Sequence, residues 1–475
     1  MNLPTDTQPK KPLGLIMVTM IMFGITTTLH GLSPLATYGL GSVFFLLLAS
    51  VGFLLPAGLV ATELATCWQR EGGVYVWVSE AFGTDWGFLA TWLQWLQNIF
   101  FWTVILTGSA SMLALGLGWE SGVENKAYIA GVVVGVIWLC TGLTACGLGF
   151  TGGIGTLGSL AGTILPGVIL IGLALAYLAS GQSPQLDTQW ECLFPDLSQP
   201  STVAFGISTI LIFAGIELMG TRVSSMRNPG RLYSSATMLS IVLTVCLLIP
   251  VVLSIAVLVP AKEINLTAGL LQAVQVVTRQ HAALSWLPVI FAFALMLDSI
   301  GEIAGWMAGT PIAMAAAGRD GYLPQGMGER RGDIAPKMLF TQAMIGSLVS
   351  VTFLVVPGVQ SVFWILSALL VQLYVLMYIL LFLAAWQLRR TQPDKQRPFR
   401  VPGGWVGITV VCLVGLALSL LVFVAGFIRP ASLNQIGETQ YLATIIAGMA
   451  ISLLPACFLI LRRRQRARKS ASTTD

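Results

Sequence analysis

Twelve apolar runs of about 20 residues or more, almost free of charge, constrain this chain most. They cover roughly 13–32, 40–64, 85–116, 127–147, 155–179, 201–220, 236–260, 284–317, 337–356, 361–388, 405–427 and 441–461. A run of about 20 apolar residues is long enough for a helix to cross a bilayer. Inside lipid every backbone N–H and C=O must be satisfied within the protein, which selects helices for runs of this length. Charged residues are only 9% of the chain, against about 25% in soluble proteins. That is too few to coat a soluble fold, so a soluble globular enzyme, a disordered chain and a nucleic-acid binder are excluded. The expected fold class is an all-α integral membrane protein with 12 transmembrane helices. The third and eighth runs exceed one crossing, so those helices are tilted or extend beyond the bilayer.

The first run follows Lys10 and Lys11, as in a secretory leader. It is long, lacks a small-x-small cleavage site and is followed at once by a second apolar run, so it reads as a retained membrane helix. The Lys and Arg residues then set the orientation. With the N-terminus in the cytoplasm, 21 of them fall inside and 4 outside, the latter being Lys126, Lys262, Arg279 and Arg429. A wrong span count would scramble that sorting. A bacterial inner membrane or a plasma membrane is expected as host, with both termini cytoplasmic. The terminal RRRQRARK reads as an anchor for the last helix. The seven cysteines form no C-x-x-C pair and there are two histidines, His30 and His281, so no disulfide framework, zinc site or other metal centre is expected.

With so few charges present, those within apolar runs carry information. Glu217 lies in the sixth run, and Asp298 and Glu302 in the eighth. Each costs a few kcal/mol or more at mid-bilayer unless it faces a cavity or a partner. The first run contains GITTTLHGLSP and the sixth contains FAGIELMGT. β-Branched residues, glycines and a proline in succession make poor helix. Irregular backbone at membrane depth is tolerated where it lines a protein cavity. Interruptions at equivalent positions of two five-helix halves point to a transporter site built from inverted repeats.

Several stretches carry a family resemblance: SPLATYGLGSVFFLLL, EGGVYVWVSEAFG followed by WGF, GIELMGTRVSSMRNPGR, PAKEINLTAGLLQ, GEIAGW and RPFRVPGG. Across nearly all of its length the chain resembles the amino acid–polyamine–organocation (APC) superfamily, and most closely its bacterial glutamate/γ-aminobutyrate antiporters. The resemblance implies a LeuT-like 5+5 inverted repeat with two additional C-terminal helices. In this sequence that means a cytoplasmic tail over 1–12, a first repeat over 13–180, a second over 201–388, two further helices over 405–461 and a basic tail over 462–475. It further implies exchange of an amino acid for its decarboxylated amine or for another amino acid, without a cofactor and with no nucleic-acid partner. Substrates and membrane lipid are the expected partners, and the protein is expected to be a monomer or homodimer. The alternative reading is a transport-inactive amino acid sensor that keeps the fold. An enzyme is not expected, since no catalytic constellation is present.

By resemblance, Thr26, Thr27 and Thr28 match the unwound segment that receives the substrate, with His30 and Gly31 beside them. Glu217 matches a sixth-helix glutamate associated with gating and pH response. Gly215 lies beside it, and Phe213 falls near a gate position. Glu302 and Trp306 match residues that wall the pocket, and Tyr374 and Tyr378 match two tenth-helix tyrosines. Gln97 and Asn98 are polar at pocket depth. Glu217 is expected to set the pH dependence, with Glu302 as its rival. His30 is either a pH-responsive group or a neutral histidine hydrogen-bonded at the helix break. The chain departs from the glutamate antiporter at Gly31, Leu32 and Ser33, where the antiporter has an aromatic–acid–aromatic run. Its short tail also argues against gating by a plug. Gly153, Gly155 and Gly158 spell GxGxxG without a preceding strand, so close helix packing is expected rather than a dinucleotide site. Trp92, Trp95 and Trp102 read as packing residues, and Asp187, Glu191 and Asp196 as a solvated loop.

Overall fold

A computed structural model describes residues 14–70, 72–147, 153, 155–196, 198, 212–226, 228–324, 326–331, 334–356, 358–430, 433 and 436–471. The described residues are helical and form no named strand. The helices are α1 (Leu15–Thr26), α2 (Leu32–Ala36), α3 (Gly41–Cys67), α4 (Val74–Phe82), α5 (Thr84–Gly116), α6 (Lys126–Ala145) and α7 (Gly155–Ala179). They continue with α8 (Pro229–Leu258), α9 (Gly269–Thr278), α10 (Leu287–Arg319), α11 (Pro336–Val355), α12 (Val359–Thr391), α13 (Gly404–Ala425) and α14 (Glu438–Ala471). Ten helices among the described residues are long and apolar enough to cross a membrane. Residues such as Ile16, Leu348, Val355, Ile451 and Phe458 are exposed on their outer faces, as lipid-facing helices require.

The count of ten falls short of twelve at the two interrupted runs. The first is not one helix. α1 stops at Thr26, Thr27 is extended (φ −124°, ψ 104°), and helix resumes at Leu32. Polar side chains hold the break: Thr26 Oγ1 donates back to Met22 O at 2.9 Å, and Thr27 Oγ1 meets Thr244 Oγ1 of α8 at 2.6 Å. In the sixth run, residues 201–211 lie outside the described residues, and Ile216–Ser225 is a 3-10 segment. The seventh helix begins earlier than its apolar run, at Pro229, because Asn228 takes a left-handed conformation (φ 55°) and Pro229 suits a first helical position. The last helix continues through the basic tail to Ala471.

The quoted motifs form joints between helices. Asn265 Oδ1 accepts the N–H groups of Thr267 and Ala268, which starts α9, and Ser33 Oγ of α2 accepts the N–H of Leu270. EINLTAG thus docks α9 onto α2. RPFRVPGG closes on α3, where buried Glu63 accepts from Arg389 Nη2 and Val401 N, both at 2.8 Å, and lies 3.1 Å from Arg397 Nε. Such a buried set is stable only when complete, because removing one member strands the others. The tail docks as well. Arg463 donates to Asp320 O at 2.8 Å and to Tyr322 Oη at 2.9 Å, and Arg464 pairs with Asp85 at 2.7 Å. Burial first, then the hydrogen bond to Asp85, push the Tyr322 hydroxyl up to about 12, so it remains a donor at neutral pH. We expect Arg463→Ala to cost roughly 1–2 kcal/mol of stability and the more exposed Arg464→Ala roughly 0–1 kcal/mol. Thermal unfolding of both variants in detergent checks the order.

Candidate functional site

α5, α10 and α12, each of 33 residues, surround the break between α1 and α2. There they enclose a cavity of about 200 Å³. Thr28, His30 and Gly31 from the break line it, together with Gln97 and Phe101 of α5, Glu302 and Trp306 of α10 and Tyr374 of α12. Helical spacing accounts for the α10 pair, since positions i and i+4 share one face. Most of the wall is apolar, but several of its polar groups are unanswered. Both amide atoms of Gln97, Glu302 Oε2 and Trp306 Nε1 are buried and make no hydrogen bond within the protein. Buried polar atoms are normally paired, so these atoms of α5 and α10 stand out. Among the described residues no Lys or Arg lines the cavity, whereas a carboxylate and an imidazole do.

Seven of the residues expected from sequence therefore meet at the cavity: Thr28, His30, Gly31, Gln97, Glu302, Trp306 and Tyr374. The others are placed around it. Thr26 and Thr27 are tied to α1 and α8 through Met22 and Thr244. Asn98 donates to Thr310 Oγ1 of α10 at 3.1 Å. Phe213 is buried, while its neighbours Ile212 and Ala214 reach the wall. Trp92, Trp95 and Trp102 do not line the cavity; Trp92 and Trp95 bond to Ser452 and Gln342 on neighbouring helices, as packing residues would.

Gly215, Glu217 and Tyr378 stand behind the wall in one network. Glu217 is 1% exposed. Its Oε1 accepts from Gln94 Nε2 at 2.8 Å and Tyr374 Oη at 2.6 Å, and its Oε2 accepts from Tyr378 Oη at 2.5 Å. Tyr378 Oη in turn accepts the N–H of Gly215 at 3.0 Å, so its single proton is directed to Glu217. Gly215 sits at φ +113°, a conformation open to glycine and strained for other residues. Sequence reasoning missed Gln94, although its spacing of three from Gln97 places both on one helix face.

The chain matches the amino acid permease family over residues 13–451. It is similar to an uncharacterised transporter of Legionella pneumophila, with 28% identity over 93% of this chain and 95% of that protein. It is 29% identical to a glutamate/gamma-aminobutyrate antiporter of Lactococcus lactis, over 94% of this chain and 90% of the relative. A protein of Lactococcus lactis named as a probable agmatine/putrescine antiporter is 23% identical over 98% of both chains.

Proposed function

The chain belongs to the amino acid permease family, and from that premise we propose that it exchanges an amino acid for a related amino acid or amine through the cavity at the α1–α2 break. The observation that carries this reading is the set of unanswered polar atoms that Gln97, Glu302 and Trp306 contribute among the lining residues. An amine has donors for the glutamate and for the amide oxygen, and an α-carboxylate has acceptors for the indole and the amide N–H groups. A free side-chain carboxylate finds no lysine or arginine among the described lining residues. The favoured substrates therefore enter without net negative charge, as neutral amino acids or as their decarboxylated amines. Of the compounds named for the relatives, gamma-aminobutyrate, agmatine and putrescine carry no net negative charge and are the ones to try first.

We take the two interrupted runs as the first and sixth of twelve spans in a 5+5 inverted repeat, with α13 and α14 added. Both termini then lie in the cytoplasm and the host is the cell's inner or plasma membrane. In that frame Thr26 and Thr27 fix the break, Tyr374 and Tyr378 hold Glu217 behind the pocket, and Thr28, His30, Gly31, Gln97, Glu302 and Trp306 meet the substrate.

Counterflow tests the reading. Proteoliposomes of the purified chain, loaded with one unlabelled amino acid or amine, should accumulate a labelled partner only when the internal compound is a substrate. Saturable binding of a substrate with no counterflow for any pair would return the sensor reading.

A further inference from the structure

A second cluster of ionisable groups lies beside the cavity. Asp298 sits one helical turn before Glu302 on α10 and is 3% exposed. It is seated there by Gly158, the last glycine of GxGxxG, and by Gly162 on the next turn of α7. A side chain at Gly158 would come within 3.1 Å of Leu297 O, and one at Gly162 within 2.3 Å of Asp298 Cβ. These glycines let α7 and α10 pack almost backbone to backbone, which brings Thr163 Oγ1 to 2.7 Å from Asp298 Oδ1. The other oxygen, Oδ2, makes no hydrogen bond. Its nearest ionisable neighbour across the interface is His30 Nε2, 4.0 Å away. The His30 ring is held by serines: Nε2 meets Ser299 Oγ at 2.9 Å, Nδ1 meets Ser109 Oγ at 3.5 Å, and the two hydroxyls are 2.5 Å apart.

Glu302 stands at a boundary. It lines the main cavity and also a smaller one formed with Met20, Gly24, Gly155, Ser159 and Gly301. Two buried carboxylates, each with an unanswered oxygen, thus lie one turn apart on α10, and one of them, Asp298, faces His30. Among the described residues, the other groups facing them carry no charge that balances the site. α5 presents Ser109 and Gln97, α7 presents Thr163 and Ser159, and α6 presents the Cys140 thiol, 3.6 Å from Ile300 O. Tyr374 of α12 and Glu217 of the 3-10 segment are bonded to each other. Within a membrane such an excess of negative charge is costly and marks a pathway for ions or protons.

We propose that Asp298, with His30 and Glu302, is a proton-binding site that couples exchange to a proton moving with the incoming substrate. This rests on the transporter reading above. On loading, a proton leaves a hydronium on the acidic side and an O–H bond forms at a carboxylate oxygen; on release that bond breaks, the proton passes to water on the other side and the carboxylate returns to its starting form. Asp298 lies outside the main cavity's lining while His30 and Glu302 belong to it, so proton and substrate occupy the site together instead of displacing one another. The histidine favours a proton over a metal cation, which would need several oxygen ligands.

The test uses the full chain in proteoliposomes. Counterflow is measured at equal pH, and accumulation is then measured with the outside more acidic by about one unit. For one coupled proton the wild type should accumulate about tenfold more substrate under the gradient. Asp298→Asn should abolish that gain while keeping counterflow at equal pH. Thr163→Val, which removes only the bond to Oδ1, should weaken the gain severalfold and serves if Asp298→Asn does not elute as folded protein. Counterflow without any response to the gradient overturns the proton site and leaves the transporter reading intact. So does a full response in Asp298→Asn, or driving by a sodium gradient in place of the proton gradient. Absence of counterflow for every substrate pair overturns both.

Discussion

Glu217→Ala lowers exchange about a hundredfold at every pH, with folded protein still recovered. The expectation follows from how completely the carboxylate is used. Gln94, Tyr374 and Tyr378 donate to its two oxygens, and Tyr378 passes the contact on to the Gly215 N–H. The carboxylate therefore ties α5 and α12 to the 3-10 segment, next to Gly215. Removing it leaves two phenols and an amide buried without an acceptor, at roughly 1–3 kcal/mol each. If about 2.7 kcal/mol of that falls on the conformation that must close around substrate, the rate drops about a hundredfold. Glu217→Gln keeps the volume but turns one acceptor into a donor, so a smaller loss, about tenfold, is expected. Tyr378→Phe removes two bonds, the one to Glu217 Oε2 and the one from the Gly215 N–H, so a loss close to that of the Gln variant is expected. Exchange by proteoliposomes, measured across a pH series, checks the order. A Gln variant with the wild-type rate and a flattened pH profile would make Glu217 the titrating group and count against the site at Asp298.

The sequence made some of this legible and hid the rest for physical reasons. Long apolar runs announce themselves, so α5 and α7 were located to within a residue or so. The break in the first run was legible because threonines, glycine and proline act locally, and the structure puts the break at Thr27. Glu302 and Trp306 were legible as a pair because helical spacing is a local rule. Interactions between distant segments were not. Glu63 lies in an apolar run, and its partners Arg389 and Arg397 lie over 320 residues away, at separations of 326 and 334 by residue number. No local pattern joins them. Gln94 was missed because it faces Glu217, on a segment 123 residues away. In the GxGxxG stretch Gly158 packs against α10 as expected while Gly153 meets nothing within 4 Å, and the carboxylate beside Gly158 follows only from seeing α7 against α10.

Trp306→Ala is expected to cut exchange at least tenfold, about 1.4 kcal/mol in the rate-limiting barrier. The indole forms part of the cavity wall between Phe101 and Tyr374, with ring centroids 5.3 and 6.3 Å away. Its Nε1 is buried and has no hydrogen-bond partner in the protein. Gly215 provides the space for the ring: a side chain there would come within 2.7 Å of the indole Cζ2. Truncation opens the cavity, admits water beside the substrate and removes one donor. Trp306→Phe separates these effects, because it restores most of the bulk and none of the hydrogen bonding. If the ring's bulk is what closes the pocket, the Phe variant recovers most of the rate; if the N–H holds the substrate, its apparent affinity remains weak while the maximal rate recovers. Gly215→Ala should resemble Trp306→Ala in rate, because the new methyl displaces the indole and also strains the backbone at φ +113°. The measurement is exchange against substrate concentration for all three variants, with monodisperse elution as the folding control. Wild-type kinetics in a folded Trp306→Ala protein would assign the indole to packing alone and move the substrate away from this wall.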